Sequence, residues 1–340
     1  MPWCRRTTGG SFQPLGLRVV FLSYQALFLV VYEPTNCDTL SPAMKVCVFL
    51  GTLCCLPVGA QVDFSGNWAP LYHEDFPERI PGPELGDYMG IPINDAARLR
   101  ADSYDADRIS VVSEYQCRPH GADYSMRGLA NMRVDQILDP LTQVPVAIHL
   151  RMNFQEMERT IYLDGRAHPS PLAPHTFQGF STGTWQANML NAYTTHQKAS
   201  YLRRNGLPRS DQGTFTEHWV RHGNYLTITT LITDPVFLTE PLVRSQTWML
   251  DPGQQLGRDV CEYAPEVPGA PDYVPNHLPG TNSFLHEVAD WYGLPYEATR
   301  GGAETLYPEY RSKMPKPDKV PAQCGRYCKC GQDGQICNLH

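Results

Sequence analysis

Apolar and polar residues alternate one by one through the middle of the chain. "ISVVSEYQC" (109–117), "NMRVDQIL" (131–138), "VPVAIHLRM" (144–152) and "QEMERTIYL" (155–163) carry this period of two. It predicts half-buried strands, because successive side chains of a strand point to opposite faces. The pattern resumes in "TWQANMLNAYTTH", "GTFTEHWVRH", "YLTITTLITD" and "EPLVRSQTWML". The gaps between these segments, "RRNGLPRSDQG", "HGN" and "DPVFLT", are short and rich in turn residues. Strands that follow one another without intervening helices predict an antiparallel meander, and about eight or nine of them are enough to close a barrel. The fold class expected is therefore mainly β, a meander closing into a barrel, with short helices and long loops.

Helical patterning is confined to two places. Asn94 caps "DAARLRADSYDA", and Asn282 starts "NSFLHEVADWYG". Residues 61–93 read as loop, since "ERIPGPELGDYMGIPIND" interrupts itself with three prolines and three glycines. His168 to His175 is a second loop, broken by Pro169, Pro171 and Pro174.

The N-terminal part reads differently. Met44 and Lys45 precede the apolar run "VCVFLGTLCCL" and the small-residue exit "PVGAQ". This is the layout of a signal peptide, with Val58 and Ala60 ahead of a cut at Gln61. The run is short for a membrane span, which takes about 20 apolar residues. The domains expected are an extension of mis-annotated or disordered sequence at 1–43, a signal peptide at 44–60, a β-barrel domain at 61–300 and a mobile cysteine-rich tail at 301–340. The location expected is secreted or periplasmic, with no stable membrane insertion after cleavage.

Cleavage removes four basic and two acidic residues and moves the net charge from −7 to −9. An acidic protein without a basic patch has no general attraction for nucleic acid. Six of the eleven cysteines lie beyond Gln61, an even number that suits disulfides in an exported protein. Cys117 and Cys261 are expected to pair. The remaining four form "CGRYCKCGQDGQIC", read as two disulfides or, alternatively, a thiolate metal site.

Two motifs suggest chemistry. "GFSTG" (179–183) has the G-x-S-x-G form of a serine-hydrolase nucleophile elbow around Ser181. That elbow needs a strand before it, a helix after it and a βαβ rhythm around it, and the alternation points instead to a serine in a strand. "EHWVRH" places His218 and His222 four apart, the spacing of two metal ligands on a helix. On a strand, at about 3.3 Å per residue, such a pair is roughly 13 Å apart and shares no metal.

"QCRPHGADY", "ERTIYLDGRAHP", "FSTGTWQANML", "RRNGLPRSDQGTFTEHWVRHG" and "HLPGTN" together resemble a family of secreted bacterial proteins of unknown function, over about residues 62–285. That resemblance supports the strand reading of Ser181 and carries no activity or catalytic residues with it. "FSGNW" (64–68) is similar to the glycine-x-tryptophan opening of lipocalin-type barrels, and "TGTW" echoes it at Gly183 and Trp185. The similarity implies a barrel with a tryptophan plugging one end.

In such a barrel one face of every strand lines the interior. Leu190, Ala192, Thr194 and His196 share one face; on the next segment either Phe215, Glu217, Trp219 and Arg221 or Thr216, His218 and Val220 line the interior, and on "VAIHLRM" either Ala147, His149 and Arg151 or their neighbours. His196 with Glu217 or His218 is the expected acid–base set. His149, Trp185 and Trp219 are expected to line a ligand cavity, with Arg203 and Arg204 at its mouth pairing with an anionic group. The function expected is an exported barrel binding a small, partly apolar ligand, without a cofactor. The alternative is a secreted hydrolase, hydratase or isomerase using those groups.

Overall fold

The computed structural model describes residues 62–71 and 83–316, apart from 107, 109–110, 155–156, 259, 266–268 and 270–273. It also gives the backbone of a short strand pair at 328–329 and 338–339. The expected signal peptide, the extension before it and most of the cysteine tail lie outside the described residues.

Nine strands close into a barrel: β1 (Gly66–Pro70), β2 (Met132–Leu138), β3 (Pro145–Met152), β4 (Glu158–Tyr162), β5 (Phe180–Gln186), β6 (Met189–Thr195), β9 (Thr214–His222), β10 (Tyr225–Thr233) and β11 (Leu242–Leu250). A two-residue ladder of β7 (Ser200–Tyr201) and β8 (Pro208–Arg209) stands between β6 and β9. Neighbours in the chain are neighbours in the wall, and β1 closes the ring by pairing with both β11 and β2. Eight of the nine junctions are antiparallel, as a meander requires. The exception is β4–β5, which is parallel because the 163–179 loop carries the chain back to the other end before β5 begins.

The strand alternation sorts the side chains as the sequence implies. Leu190, Ala192 and Thr194 of β6, Phe215, Glu217 and Trp219 of β9, and Leu226, Ile228, Thr230 and Ile232 of β10 are all buried. At one end Phe64 stacks on Trp185 at 5.4 Å and meets Trp219 edge-on at 5.8 Å. Trp68 of β1 lies in the same core, its indole N–H donating to Phe64 O at 3.0 Å. At the other end a second apolar cluster joins Phe215, Ile232 and Leu242 to Tyr88, Ile91, Ile93 and helix α1 (Asp95–Asp102). Asn94 caps α1 by accepting from Ala97 N at 3.0 Å.

Two expectations are corrected. "ISVVSEYQC" is not a strand: Ser113–Gln116 is a 3₁₀ turn, and Cys117 follows in the left-handed region at φ 51°. The turn is followed by helix α2 (Ala122–Ser125), whose residues are buried, so burial here does not come from sheet alternation. The loop reading of 61–93 misses β1, a five-residue strand that the proline-rich sequence after it obscures. The expected Cys117–Cys261 disulfide is present and spans 144 residues. After β11 the chain forms only short helices, α3 (Glu287–Tyr292), α4 (Tyr296–Thr299) and α5 (Pro308–Lys313). Asn282 begins this part by accepting from Phe284 N.

Candidate functional site

"GFSTG" resolves into packing rather than an elbow. Ser181 sits within β5, 1% exposed, its Oγ 2.8 Å from Thr194 Oγ1 on β6. No helix follows: β5 turns at Ala187–Asn188 straight into β6. The two glycines have steric causes. Gly179 has φ +70° and a Cβ there would lie 2.5 Å from Thr195 O. Gly183 faces Leu163, Ile161 and Leu190, any of which a Cβ would meet at 3.0 Å or less. "EHWVRH" is likewise strand β9, with His218 and His222 far apart along it.

The expected acid–base set is dispersed. Glu217 faces the interior, whereas His218 points outward and donates from Nδ1 to Asn191 Oδ1 at 2.5 Å. His149 also faces out and pairs with Glu158 at 2.8 Å. His196 lies past the end of β6 with φ 58°, which breaks the alternation of Leu190, Ala192 and Thr194. Its Nε2 donates to Ser170 O at 2.9 Å, and its Nδ1 lies 2.6 Å from Thr195 Oγ1. These histidines therefore do not converge with Glu217 on one cavity.

What the interior gathers instead is an arginine chemistry. Arg159 of β4 reaches across to Glu217, Nη2 to Oε2 at 2.7 Å, with both side chains buried. Burial raises the Glu217 carboxyl above its ordinary range, and the Arg159 charge opposes this without cancelling it. Arg159 Nε and Nη1 have no hydrogen-bond partner among the described residues. A second buried pair, Arg209 with Asp123 at 3.1 Å, ties β8 to α2, and Arg209 also donates to Ser210 O and Lys198 O.

Inward-facing Arg244 and Gln246 of β11 reach a cavity of about 150 Å³. Arg127 and Arg203 line it as well, with Ile91, Met126, Leu242 and Leu306 supplying apolar wall. Three arginines from separate segments thus line one cavity: the turn after α2, the 202–207 loop and β11. Arg204 is elsewhere, 3.9 Å from Glu114. Burial would raise the Glu114 carboxyl, but the hydrogen bond and charge of His120 together with Arg204 hold it below its ordinary value.

Of the expected ligand residues, Trp185 and Trp219 face the barrel interior at the Phe64 end, and Arg203 lines the arginine cavity. Sequence reasoning missed Arg127, Arg159 and Arg244. Arg159 and Arg244 do lie on the same strand faces as apolar neighbours, Ile161 and Leu242, and that in-phase arginine is the signal that could have found them. Arg127 leaves no such trace. Among the described residues no group of three or more His, Cys, Asp or Glu could hold a metal. No helix of the described residues is long and apolar enough to cross a membrane. No protein-family model and no curated protein matches this chain.

Proposed function

We propose that this chain is an exported barrel protein that binds a small, partly apolar ligand carrying an anionic group, most simply a carboxylate. The observation that carries the reading is the convergence of Arg127, Arg203 and Arg244 on one cavity beside the barrel interior. Guanidinium groups pair with carboxylates through two parallel hydrogen bonds. Each guanidinium carries five N–H donors in a planar fork that matches a carboxylate. Met126, Leu242, Ile91 and Leu306 supply a surface for the apolar part of the ligand. Export rests on the signal-like segment at 44–60 and is supported by the Cys117–Cys261 disulfide. The closed, mainly antiparallel barrel is consistent with a lipocalin-like protein, and membership of the secreted bacterial family belongs to this proposal.

The test is native mass spectrometry of protein purified from its own host, followed by calorimetric titration of the ligand released. Retention of a carboxylate-bearing molecule, weakened at least tenfold by Arg203→Met or Arg244→Met, is the expected result. A retained neutral molecule whose affinity ignores both substitutions would overturn the reading.

A second reading, catalysis, is favoured by one observation: Glu217 is a buried carboxyl held above its ordinary pKa beside Arg159. A carboxyl of that kind suits general acid–base work. It requires that Glu217→Gln abolish turnover of the identified ligand while leaving its binding within a few-fold.

A further inference from the structure

The parallel β4–β5 junction has the shortest register in the barrel wall, two residue pairs. Leu163 N donates to Val146 O at 2.8 Å, and Met152 N to Met157 O at 2.9 Å. In an antiparallel ladder such bonds recur at every second residue, so Arg159 and Ile161 also turn their backbone groups to β3. Glu158 and Thr160 turn theirs the other way, toward β5. There the ladder takes up only the pairs Ile161/Ser181 and Tyr162/Thr182. Just before β5 the chain has swung off: Thr176 bridges to Gln197 instead, and its N–H donates to His196 O at 3.0 Å. Both backbone groups of Glu158 and the N–H of Thr160 are thereby left outside any ladder among the described residues.

The wedge so formed holds a cavity of about 480 Å³, bounded by 158–162 on one side and 176–180 on the other. Tyr162, Phe177, Phe180 and Pro119 give it an aromatic, apolar lining. Gln178 donates from Nε2 to His120 O at 2.9 Å, while its Oε1 is buried with no hydrogen-bond partner among the described residues. Over the lining residue Phe177 the exposed Lys198 ammonium lies 4.9 Å from the ring centre, and no acidic partner contacts it among the described residues.

We propose that this seam takes up a short extended peptide, added as a strand along Glu158–Thr160. Unpaired main-chain groups of a strand are satisfied most directly by another main chain, and strand addition of this kind draws affinity from backbone bonds and specificity from side-chain pockets. The pocket here suits an aromatic side chain, Gln178 Oε1 accepts a further N–H from the peptide, and Lys198 complements an acidic residue or a C-terminal carboxylate. The site is separate from the arginine cavity and does not depend on what that cavity binds.

The experiment uses the full chain and two labelled peptides, acetyl-Val-Phe-Val-Glu and the same peptide methylated on the phenylalanine amide nitrogen. Fluorescence anisotropy is expected to show saturable binding of the first and at least tenfold weaker binding of the second. Phe177→Ala is expected to weaken the first peptide, and amide exchange of the complex to slow at Glu158–Thr160. Equal binding of both peptides, no binding at millimolar concentration, or slowed exchange only around Arg203 and Arg244 would each overturn the proposal. If Phe177→Ala does not fold, the methylated peptide still decides it on the unaltered protein.

Discussion

Arg159 of β4 and Glu217 of β9 meet inside the barrel, Nη2 to Oε2 at 2.7 Å, on strands that are not neighbours in the wall. The contact therefore braces the ring across its hollow rather than along its hydrogen-bonded circumference. Removing one member of a buried pair leaves the other desolvated and unmatched, at a cost of about 3–5 kcal/mol. Arg159→Met is expected to lower stability by that order, and the double variant Arg159→Met/Glu217→Met to recover much of it. Denaturant unfolding of the four proteins checks this. A double variant no better than the single ones would show that the pair does more than satisfy its own charges.

Glu217 also shapes the pH dependence of stability. Its carboxyl is held above the ordinary value of 4.5 by burial. The folded protein then keeps a proton that the unfolded chain gives up, so this group's contribution falls as pH rises from about 4.5 to the raised folded value. Glu217→Gln is expected to flatten that decline. Thermal unfolding between pH 4 and 8 is the measurement, and an unchanged slope in the variant would sink the assignment.

His168 acts in the opposite sense. It spans two hydroxyls, Nδ1 to Thr195 Oγ1 at 2.7 Å and Nε2 to Thr182 Oγ1 at 2.8 Å, and so pins the 163–179 loop to the outer wall. Burial, and then the charge of His196, lower its pKa below 6.5. Its contribution is fully present above pH 6.5 and is lost as pH falls through the lowered folded value. Amide exchange in 164–176, corrected for intrinsic rate, is expected to quicken on acidification, and to do so less in His168→Gln.

Ser181 is expected to be unreactive. Its hydroxyl is committed to Thr194 and shut away from solvent. A fluorophosphonate probe should fail to label it, and Ser181→Ala should cost about 0.5–1.5 kcal/mol, the net worth of one hydrogen bond. Gly183→Val should cost more, about 1–3 kcal/mol or above, because its side chain enters the space of Ile161, Leu163 and Leu190. Stoichiometric labelling at Ser181 would restore the hydrolase elbow.

The Cys117–Cys261 disulfide ties the 3₁₀ turn before α2 to the extended segment after β11, beside the backbone bond from Ala264 N to Tyr115 O. Replacing both cysteines by serine is expected to cost about 2–5 kcal/mol, with a lower Tm as the readout. A Tm unchanged by reduction would show that the turn holds without its cross-link.

The alternation of apolar and polar residues was enough, read along the chain alone, to place β2, β3, β4, β6, β9, β10 and β11, and to set Glu217 and Trp219 on one face with Phe215. A strand's side chains obey a local period of two, which the order of residues records directly. The same rule misplaced His196, because one residue at positive φ ends the period without changing the pattern of letters. It misread 109–117 because the letters alternate there although Ser113–Gln116 winds into a 3₁₀ turn with no buried residue, so the alternation marks no sheet face. Three things rested on tertiary structure: that Arg127, Arg203 and Arg244 share a cavity, that Arg159 reaches Glu217, and that β4 meets β5 in parallel. Each of these is a contact between segments far apart in sequence, fixed by barrel closure and strand register, and no window of neighbouring residues carries that information.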